Sequence, residues 1–394
     1  MTITKFLFGA AAGVLVAGTA QAADLPIAPE PIDYVRVCDA FGAGFYYIPG
    51  TDTCLSVRGR VRAEYRYYDS EFSDHWRDYN SSMMRARGYL YMDARTNTEF
   101  GLLRAYNEIY VTTNSPGSTG VTLEHSFVQF GGFTFGKTQS FYDFVEYSTF
   151  AFAWKPGVSD EKLPVGAYTL AFGNGFSSTL SLEAAAERRM GIDGYSYGGA
   201  KYPDLVANIR IDQGWGSAQI MGALHQVWPA YDASYTPESE LGYAVGAGVV
   251  FNLPFAAGAS VNLTGTYTRG ATSYAGSDIY GPFGTNGGGV YDAALDASGD
   301  LELSSAWSVS GGFGFDFTPT VGANIQAGYL DYQNDASFGG DFKNYDLQGN
   351  ITWTPVKGLL FGVETDYKYI DNESVAGLDD GSVWSAEFRA QRTF

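Results

Sequence analysis

Residues 382–394, the last segment of the chain, alternate between two kinds of side chain. One set of positions is apolar and consists of Trp384, Ala386, Phe388 and Ala390; the other set carries Ser385, Glu387, Arg389 and Gln391. Because successive side chains on a strand point to opposite faces, this segment predicts a strand between an apolar medium and water. The chain then ends on Phe394, and a hydrophobic terminal strand needs a partner to cover its edge. These features together favour a closed barrel in a membrane.

The N-terminus has the pattern of a secretory leader. Lys5 supplies a positive charge, residues 6–17 are mostly apolar, and Ala20, Gln21 and Ala22 form a small-residue cleavage site. We therefore expect residues 1–22 to be a signal peptide. Its apolar part is shorter than the about 20 residues that a spanning helix requires. Nothing downstream resembles such a helix, so residence in a membrane predicts a β-barrel and hence the bacterial outer membrane.

Composition agrees with an all-β protein. The chain has 394 residues with 50 glycines, 29 tyrosines and 27 phenylalanines, and only 17% of its residues are charged. No extended helical periodicity is present, which favours strands. The formal net charge of −19 argues against a nucleic-acid partner.

Two cysteines are present, Cys38 and Cys54. An exported chain with an even number of cysteines normally oxidises them, and these two have only each other as partners. The chain-entropy model gives such a disulfide roughly 3 kcal/mol of stabilisation. A zinc site needs about four ligands, whereas His75, His125 and His225 are scattered. We expect no metal site and no cofactor.

From Thr53 onward, amphipathic stretches of about ten residues are separated alternately by tight turns and longer polar connections, as in outer-membrane barrels. The predicted turns are 96–98, 131–132, 174–175, 213–214, 252–254, 318–320 and 355–358. The predicted long connections are 70–82, 112–120, 141–165, 188–203, 228–240, 270–302, 333–343 and 371–381. They predict a 16-stranded antiparallel transmembrane β-barrel over residues 53–394, with external loops and periplasmic turns. Residues 23–52, which contain the disulfide loop, are expected to form a periplasmic N-terminal segment.

Arginines dominate one face of the first two strands. Placing an arginine at the lipid-facing midplane costs about 2 to 4 kcal/mol, so several together cannot face lipid. They must line a lumen, where charged groups at a narrow point control ion passage. The alternative is a solvated charged face with internal salt bridges to Glu64 and Asp93. The predicted pore-lining cations are Arg58, Arg60, Arg62, Arg66, Arg85 and Arg87.

The connection 141–165 is unusually aromatic for an exposed loop, with Phe144, Phe150, Phe152 and Trp154. Long connections of this kind are usually functional or disordered, and such a composition argues against disorder. Folding the loop into the barrel would let its aromatic side chains pack on the inner wall. Packing over a subunit contact or on itself is the alternative. In the inward arrangement the loop's acids would face water opposite the arginines and form a constriction; they are Asp143, Glu146, Asp160 and Glu161.

Three other functions fit parts of the pattern. An outer-membrane hydrolase would need a serine, a histidine and an orienting group, and His125 alternates with Leu123 and Phe127 in a way that suggests an outward aspect. A calcium-binding or adhesive exterior is suggested by Asp292, Asp296 and Asp300, but their spacing does not match a calcium loop. A substrate-selective channel is the alternative among transport functions. We expect no enzymatic activity.

Residues 37–54, VCDAFGAGFYYIPGTDTC, resemble the N-terminal signature of alphaproteobacterial general porins. The segment 135–141, FGKTQSF, and the final Arg392, Thr393 and Phe394 extend the resemblance over the whole length. The resemblance implies a homotrimeric diffusion pore for small hydrophilic solutes and ions, surrounded by outer-membrane lipids and lipopolysaccharide, with the third external loop folded inward. It also implies that the C-terminal aromatic positions Phe388 and Phe394 act as an assembly signal. Gly59, Ala63, Ala86 and Gly88 are small outward residues that would permit contact between barrels, and close packing within one barrel explains them equally well.

Overall fold

The computed structural model describes residues 36–71, 80–254, 258–276, 290–334, 340–373 and 380–394. The expected signal peptide, residues 1–22, and the first part of the expected N-terminal segment lie outside these ranges. Within them, no helix is both long and apolar enough to cross a membrane.

Sixteen long strands dominate the described residues, each antiparallel to its neighbours. They are numbered here in chain order. The first eight are β1 Cys54–Ser70, β2 Ser82–Thr98, β3 Gly101–Ser115, β4 Thr119–Phe130, β5 Phe133–Gln139, β6 Lys162–Gly173, β7 Phe176–Glu183 and β8 Asp204–Gln213. The others are β9 Gly216–Val227, β10 Glu240–Asn252, β11 Ser260–Arg269, β12 Ser305–Thr318, β13 Val321–Gln333, β14 Phe342–Val356, β15 Leu359–Asn372 and β16 Gly381–Thr393.

The first and last long strands close the sheet into a barrel. Strand β1 pairs with β2 on one side and with β16 on the other. Beyond the last strand residue, the Phe394 and Gly59 backbones exchange hydrogen bonds of 2.9 and 3.0 Å. A Cβ at Gly59 would overlap the Phe394 ring, so a glycine is required where the terminal aromatic crosses β1. The predicted closed 16-stranded barrel is confirmed.

The strands have the two-faced pattern predicted from the last segment. On β16, Trp384 and Phe388 are exposed, whereas Ser385, Glu387 and Arg389 are buried inside the barrel. This is the reverse of a soluble protein, in which apolar side chains are the buried ones. An outer apolar wall and an inner polar lumen suit a barrel in lipid.

Two connections differ from the sequence-based boundaries. The predicted long connection 112–120 is wrong, because β3 and β4 pair as far as Thr113 and Thr119 and leave only 116–118 between them. The polar threonines and asparagine there resemble a loop, but they extend the hairpin beyond the apolar band. The first tight turn lies at 99–100 rather than at 96–98.

A small substructure precedes the barrel. The two-residue strand Tyr46–Tyr47 pairs with Leu55 and Cys54, and a short 3₁₀ helix covers Asp39–Phe41. The predicted disulfide between Cys38 and Cys54 is present. Both cysteines are buried with Phe45, and the Arg95 guanidinium lies 5.0 Å from the Phe45 ring centroid. The segment is therefore held against the end of the barrel where the strands are joined by short turns.

At the other end, the long loops form a second layer. A three-stranded sheet joins Ile192–Asp193, Ala293–Leu295 and Leu301–Leu303, and 3₁₀ helices cover Ala185–Arg188 and Thr272–Ala275. Asp292, which the sequence analysis considered for a calcium-binding or adhesive exterior, is not on the surface. It is fully buried, and it accepts hydrogen bonds from the Tyr197 hydroxyl at 2.8 Å and the Thr272 amide at 2.9 Å.

Candidate functional site

The six predicted pore-lining arginines all lie on the inner face of β1 and β2. Their positions alternate with outward apolar residues such as Val61 and Leu90. The structure separates them into two groups according to whether they form an ion pair with a carboxylate. Arg62, Arg66 and Arg85 form ion pairs with carboxylates, whereas Arg58, Arg60 and Arg87 form none with the residues that the structure describes.

Glu64 is the centre of the first group. Its carboxylate lies 2.8 Å from Arg66, 3.1 Å from Arg389, 3.3 Å from Arg62 and 3.9 Å from Arg85. Glu64 is only 4% exposed, so these contacts are weakly screened by water.

Glu387 is the second carboxylate of this cluster. It lies 2.6 Å from Arg66 and 2.7 Å from Arg389. Neither Arg389 nor Glu387 was among the predicted lumen residues, although both lie on the charged face of the terminal strand. Predicting their part in the cluster would have required knowing that β16 pairs with β1. That pairing places Arg389 directly opposite Glu64.

A separate carboxylate pairs with two further arginines, nearer the end of the barrel where short turns join the strands. Asp93 lies 2.7 Å from Arg95 and 2.9 Å from Arg104. Asp93 is fully buried. This trio therefore contributes one net positive charge to the wall of β2 and β3.

The aromatic connection lies inside the barrel, as predicted. We call residues 140–161, between β5 and β6, the inward loop. Its first residues are attached to β7, where Ser140 donates to Glu183 at 2.6 Å, and to β9, where Gln219 donates to the Tyr142 carbonyl at 3.2 Å. The Phe144 ring packs where a Cβ on Gly248 of β10 would be. The alternative positions over a subunit contact or on itself are wrong.

The inward loop then continues along the wall as far as β1. The Ser148 amide donates to Gln326 at 3.1 Å and the Phe150 amide to Glu364 at 2.5 Å. Gln348 donates to the Trp154 carbonyl at 2.8 Å, and Arg66 donates to the Phe152 carbonyl at 3.3 Å. Amides and carboxylates of the strands thus satisfy loop backbone groups that would otherwise be buried without partners. Gln139 at the end of β5 also donates to the Glu161 carbonyl of the loop at 3.3 Å, so we call the wall of β2 to β4, which lies away from these anchoring contacts, the uncovered wall.

Two of the four predicted loop acids do not face water. Asp143 is buried and pairs with Arg188 at 2.9 Å, because the chain turns there into the wall. Asp160 is also buried; burial raises its pKa, but Lys155 and Lys162 outweigh burial and hold the pKa of Asp160 below its usual range. The expectation that these two acids face the lumen water is therefore wrong.

The other two loop acids, Glu146 and Glu161, are half-buried. Burial raises the pKa of Glu146 above its ordinary value, and the positive charge of Arg210 only partly opposes this increase. No ion pair is formed by Glu146 within the described residues. Glu146 is therefore protonated at a higher pH than an ordinary glutamate.

Arg188 was missed by the sequence analysis. It is fully buried and connects the inward loop to the outer loop layer: it pairs with Asp143 and its guanidinium lies 4.3 Å from the Tyr274 ring centroid. The Tyr274 hydroxyl donates to Asp204 at 2.8 Å. The sequence gives no local signal for this network, since its members come from four separate segments.

His125 does not have the outward aspect assigned to it. A β-bulge shifts the register so that Glu108 pairs with His125 while Ile109 pairs with Leu123. An extra residue of this kind reverses which side chains face inward. The His125 ring consequently lies 6.0 Å from the ring of Tyr106 inside the barrel. The basis for a catalytic histidine on the outer wall is removed. Among the described residues, no cluster of His, Cys, Asp or Glu is arranged to hold a metal ion.

Comparison with known proteins gives a consistent result. Residues 24–392 match the family model described as Porin subfamily. Porin Omp2b of Brucella suis biovar 1 (strain 1330) is 31% identical over 422 residues, covering 100% of both chains.

Solved structures share the fold. The outer membrane channel DcaP of Acinetobacter baumannii superposes with a TM-score of 0.67 at 18% identity, covering 88% of this chain and 99% of that one. The trimer form of OmpT, an outer membrane protein of Vibrio cholerae, superposes with a TM-score of 0.51 at 10% identity, covering 87% and 100%. At these identities the structural likeness concerns the barrel fold alone.

Proposed function

The chain belongs to the porin subfamily and forms a diffusion channel across the bacterial outer membrane, and from this premise we propose that it is a general pore for small hydrophilic solutes and ions. The single observation that carries the proposal is the inward loop, which lies along the inner wall from β7 to β1 and leaves the opposite wall open. A loop held in this way narrows a barrel without closing it. The family membership indicates a channel rather than an enzyme.

We assign the constriction to the space between the inward loop and the wall of β1 to β3. Its cations are the six lumen arginines together with Arg389, and its acids are Glu146 and Glu161. The buried Asp143 and Asp160 hold the loop in place and contribute to the constriction indirectly. Fixed charges at such a narrow point determine which ions pass.

The domain organisation that we propose follows the sequence boundaries. Residues 1–22 are removed as a signal peptide, residues 23–52 form a periplasmic segment with the disulfide loop, and residues 53–394 form the barrel. The C-terminal aromatic positions Phe388 and Phe394 are both exposed on the outer surface, which suits recognition by an assembly factor.

We further propose that the channel is a homotrimer in contact with outer-membrane lipids and lipopolysaccharide. A trimer form among the structural neighbours supports this. So does an apolar outer groove of about 380 Å³ whose lining includes Ala63, Met84, Ala86 and Phe388.

Reconstitution of the purified mature protein in a planar bilayer tests the proposal. Conductance steps in groups of three, little reduced by neutral sugars, are expected for a trimeric general pore. Changing Arg58 and Arg60 to glutamine should move the reversal potential in a salt gradient toward cation preference. Absence of conductance would refute the channel, and block by neutral sugars would refute general diffusion. Identical reversal potentials would refute the role of these two arginines.

A further inference from the structure

Guanidinium groups and tyrosine rings alternate on the uncovered wall of the lumen. The Arg60 guanidinium carbon lies 3.8 Å from the Tyr89 ring centroid, and that of Arg87 lies 5.8 Å from the same ring and 4.3 Å from the Tyr110 ring. Tyr91 is parallel to Tyr89, with 6.0 Å between their centroids. We call Arg60, Arg87, Tyr89, Tyr91 and Tyr110 the arginine–tyrosine ladder.

The two arginines of the ladder form no ion pair in the part of the chain that the structure describes. Within the described residues, neither guanidinium has a carboxylate oxygen within 4.0 Å, in contrast to Arg62, Arg66 and Arg85. Arg87 donates to Thr112 at 2.7 Å and to the Tyr89 hydroxyl at 3.1 Å. The Arg60 Nε atom has no hydrogen-bond acceptor there. Glu108 of β3 acts electrostatically on Arg60 from beyond ion-pair distance, so the positively charged guanidinium groups of this partly dry wall can still bind an anion.

The ladder also restricts the shape of the anion. A guanidinium is planar, and packing over a tyrosine ring fixes the direction of its outer N–H groups. Two parallel N–H groups in that plane match the two oxygens of a carboxylate. Tyr89 is only 9% exposed because the arginines cover it, whereas Arg60, Arg87 and Tyr91 remain half-buried. The flat ring of an aromatic solute could stack on an exposed guanidinium face or beside Tyr91 and so extend the alternating series of rings and guanidinium groups.

We propose that the arginine–tyrosine ladder is a binding subsite for aromatic carboxylates in transit through the pore. The carboxylate accepts hydrogen bonds from Arg60 or Arg87, and the ring stacks on the guanidinium plane or against Tyr91. Titratable groups beside the ladder are Glu108, the register partner of Tyr91 on β3, His125 beyond it on β4, and Arg58, the register partner of Tyr91 on β1. This inference rests on the proposed function, since solutes reach the ladder only through an open channel.

The test measures the concentration-dependent reduction of single-channel current by sodium benzoate in low salt. Three matched solutes separate the contributions of charge and ring: acetate, cyclohexanecarboxylate and neutral benzamide. We expect an apparent Kd for benzoate about tenfold below that for acetate, with cyclohexanecarboxylate between them and no block by benzamide.

Variants locate the site. The double change Arg60→Gln and Arg87→Gln should weaken benzoate block about tenfold. Arg104→Gln is the matched control, because it removes a lumen arginine that is paired with Asp93 and lies outside the ladder; it should change benzoate block by less than about twofold. Arg60→Lys with Arg87→Lys keeps both charges but loses the flat group, so benzoate should lose its advantage over acetate.

Equal block by benzoate and acetate in the parent would overturn the aromatic preference. Unchanged benzoate block in either double variant, with normal conductance steps in potassium chloride, would overturn the location. Failure of the proposed function has a different signature, because the parent protein would then give no conductance steps even without any organic anion.

Discussion

At the scale of single residues, the effect of a lumen arginine depends on the carboxylate beside it. Arg66 lies between Glu64 and Glu387 and is mainly structural, since its charge is cancelled and its side chain is only 4% exposed. Arg60 lies on the same face of β1, but no carboxylate oxygen of the described residues lies within 4.0 Å of its guanidinium nitrogens. Strand alternation predicts which face of the sheet each arginine lies on. Whether a carboxylate cancels the arginine's charge depends on which strands become neighbours in the barrel.

Glu64 is the residue whose loss should damage the barrel most directly. Glu64→Gln would leave Arg62, Arg66 and Arg389 close together with Glu387 as the remaining carboxylate. Removing one partner of a buried ion pair typically costs about 3 to 5 kcal/mol. We expect a lower thermal unfolding midpoint in detergent, followed by circular dichroism. Glu240→Gln, at an exposed position, is the control and should leave the midpoint unchanged; equal midpoints for both variants would contradict the prediction.

Glu146 should make ion selectivity depend on pH. Its pKa is raised by burial, so it is protonated at a higher pH than an ordinary glutamate as the solution is acidified. The pKa of Asp160 is lowered by Lys155 and Lys162, so that acid keeps its charge to lower pH. Mild acidification should therefore remove negative charge at the constriction and shift the reversal potential toward anion preference.

The control for this prediction is Glu146→Gln. It should give the shifted reversal potential already at neutral pH and abolish the first step of the titration. A variant that titrates like the parent would assign the pH response to another group.

At the scale of elements, the inward loop was predictable and its anchoring was not. Its length and aromatic content predicted burial, because no exposed loop keeps Phe144 and Trp154 in water. The hydrogen-bond partners of the loop come from strands up to 214 residues away in the chain, so their identity depends on barrel closure. The β-bulge that turns His125 inward has no comparable signal in the sequence, since one extra residue changes the face of every residue after it.

The inward loop should limit conductance, and two changes test this with opposite signs. Deleting residues 144–156 removes the obstruction, so conductance should rise roughly twofold if pore width limits ion flow. Gly248→Leu places a side chain where the Phe144 ring packs and should push the loop into the lumen, so conductance should fall.

The outward position Gly265, where a Cβ meets only ordinary contacts, provides the control. Gly265→Leu should leave single-channel conductance unchanged. If the deletion and Gly248→Leu changed conductance in the same direction, or not at all, the loop would not be the limiting element.

At the scale of the whole molecule, closure of the barrel could be predicted from the sequence more directly than assembly of barrels into a trimer. An apolar last strand ending on an aromatic residue requires a partner strand, and β1 supplies it. Contact between barrels has no such requirement, because the outer wall is apolar all round and lipid can cover any part of it. Gly59 illustrates the difficulty: it was grouped with the small residues for subunit contact, but its space is occupied by Phe394 of the same chain.

Ala63, Ala86 and Gly88 remain as small residues of the proposed subunit contact, and Gly88 provides its sharpest test. No atom lies within 4 Å of where a Gly88 Cβ would be, so Gly88→Trp costs the isolated barrel little but adds a large side chain to the outer wall beside the groove. If three copies meet there, the indole should separate them, since close packing tolerates no such volume. Light scattering in detergent should then show monomers with the circular dichroism spectrum of the parent. Gly265→Trp, on the outer face of β11, should remain trimeric; a trimeric Gly88→Trp protein would move the subunit contact to another part of the wall.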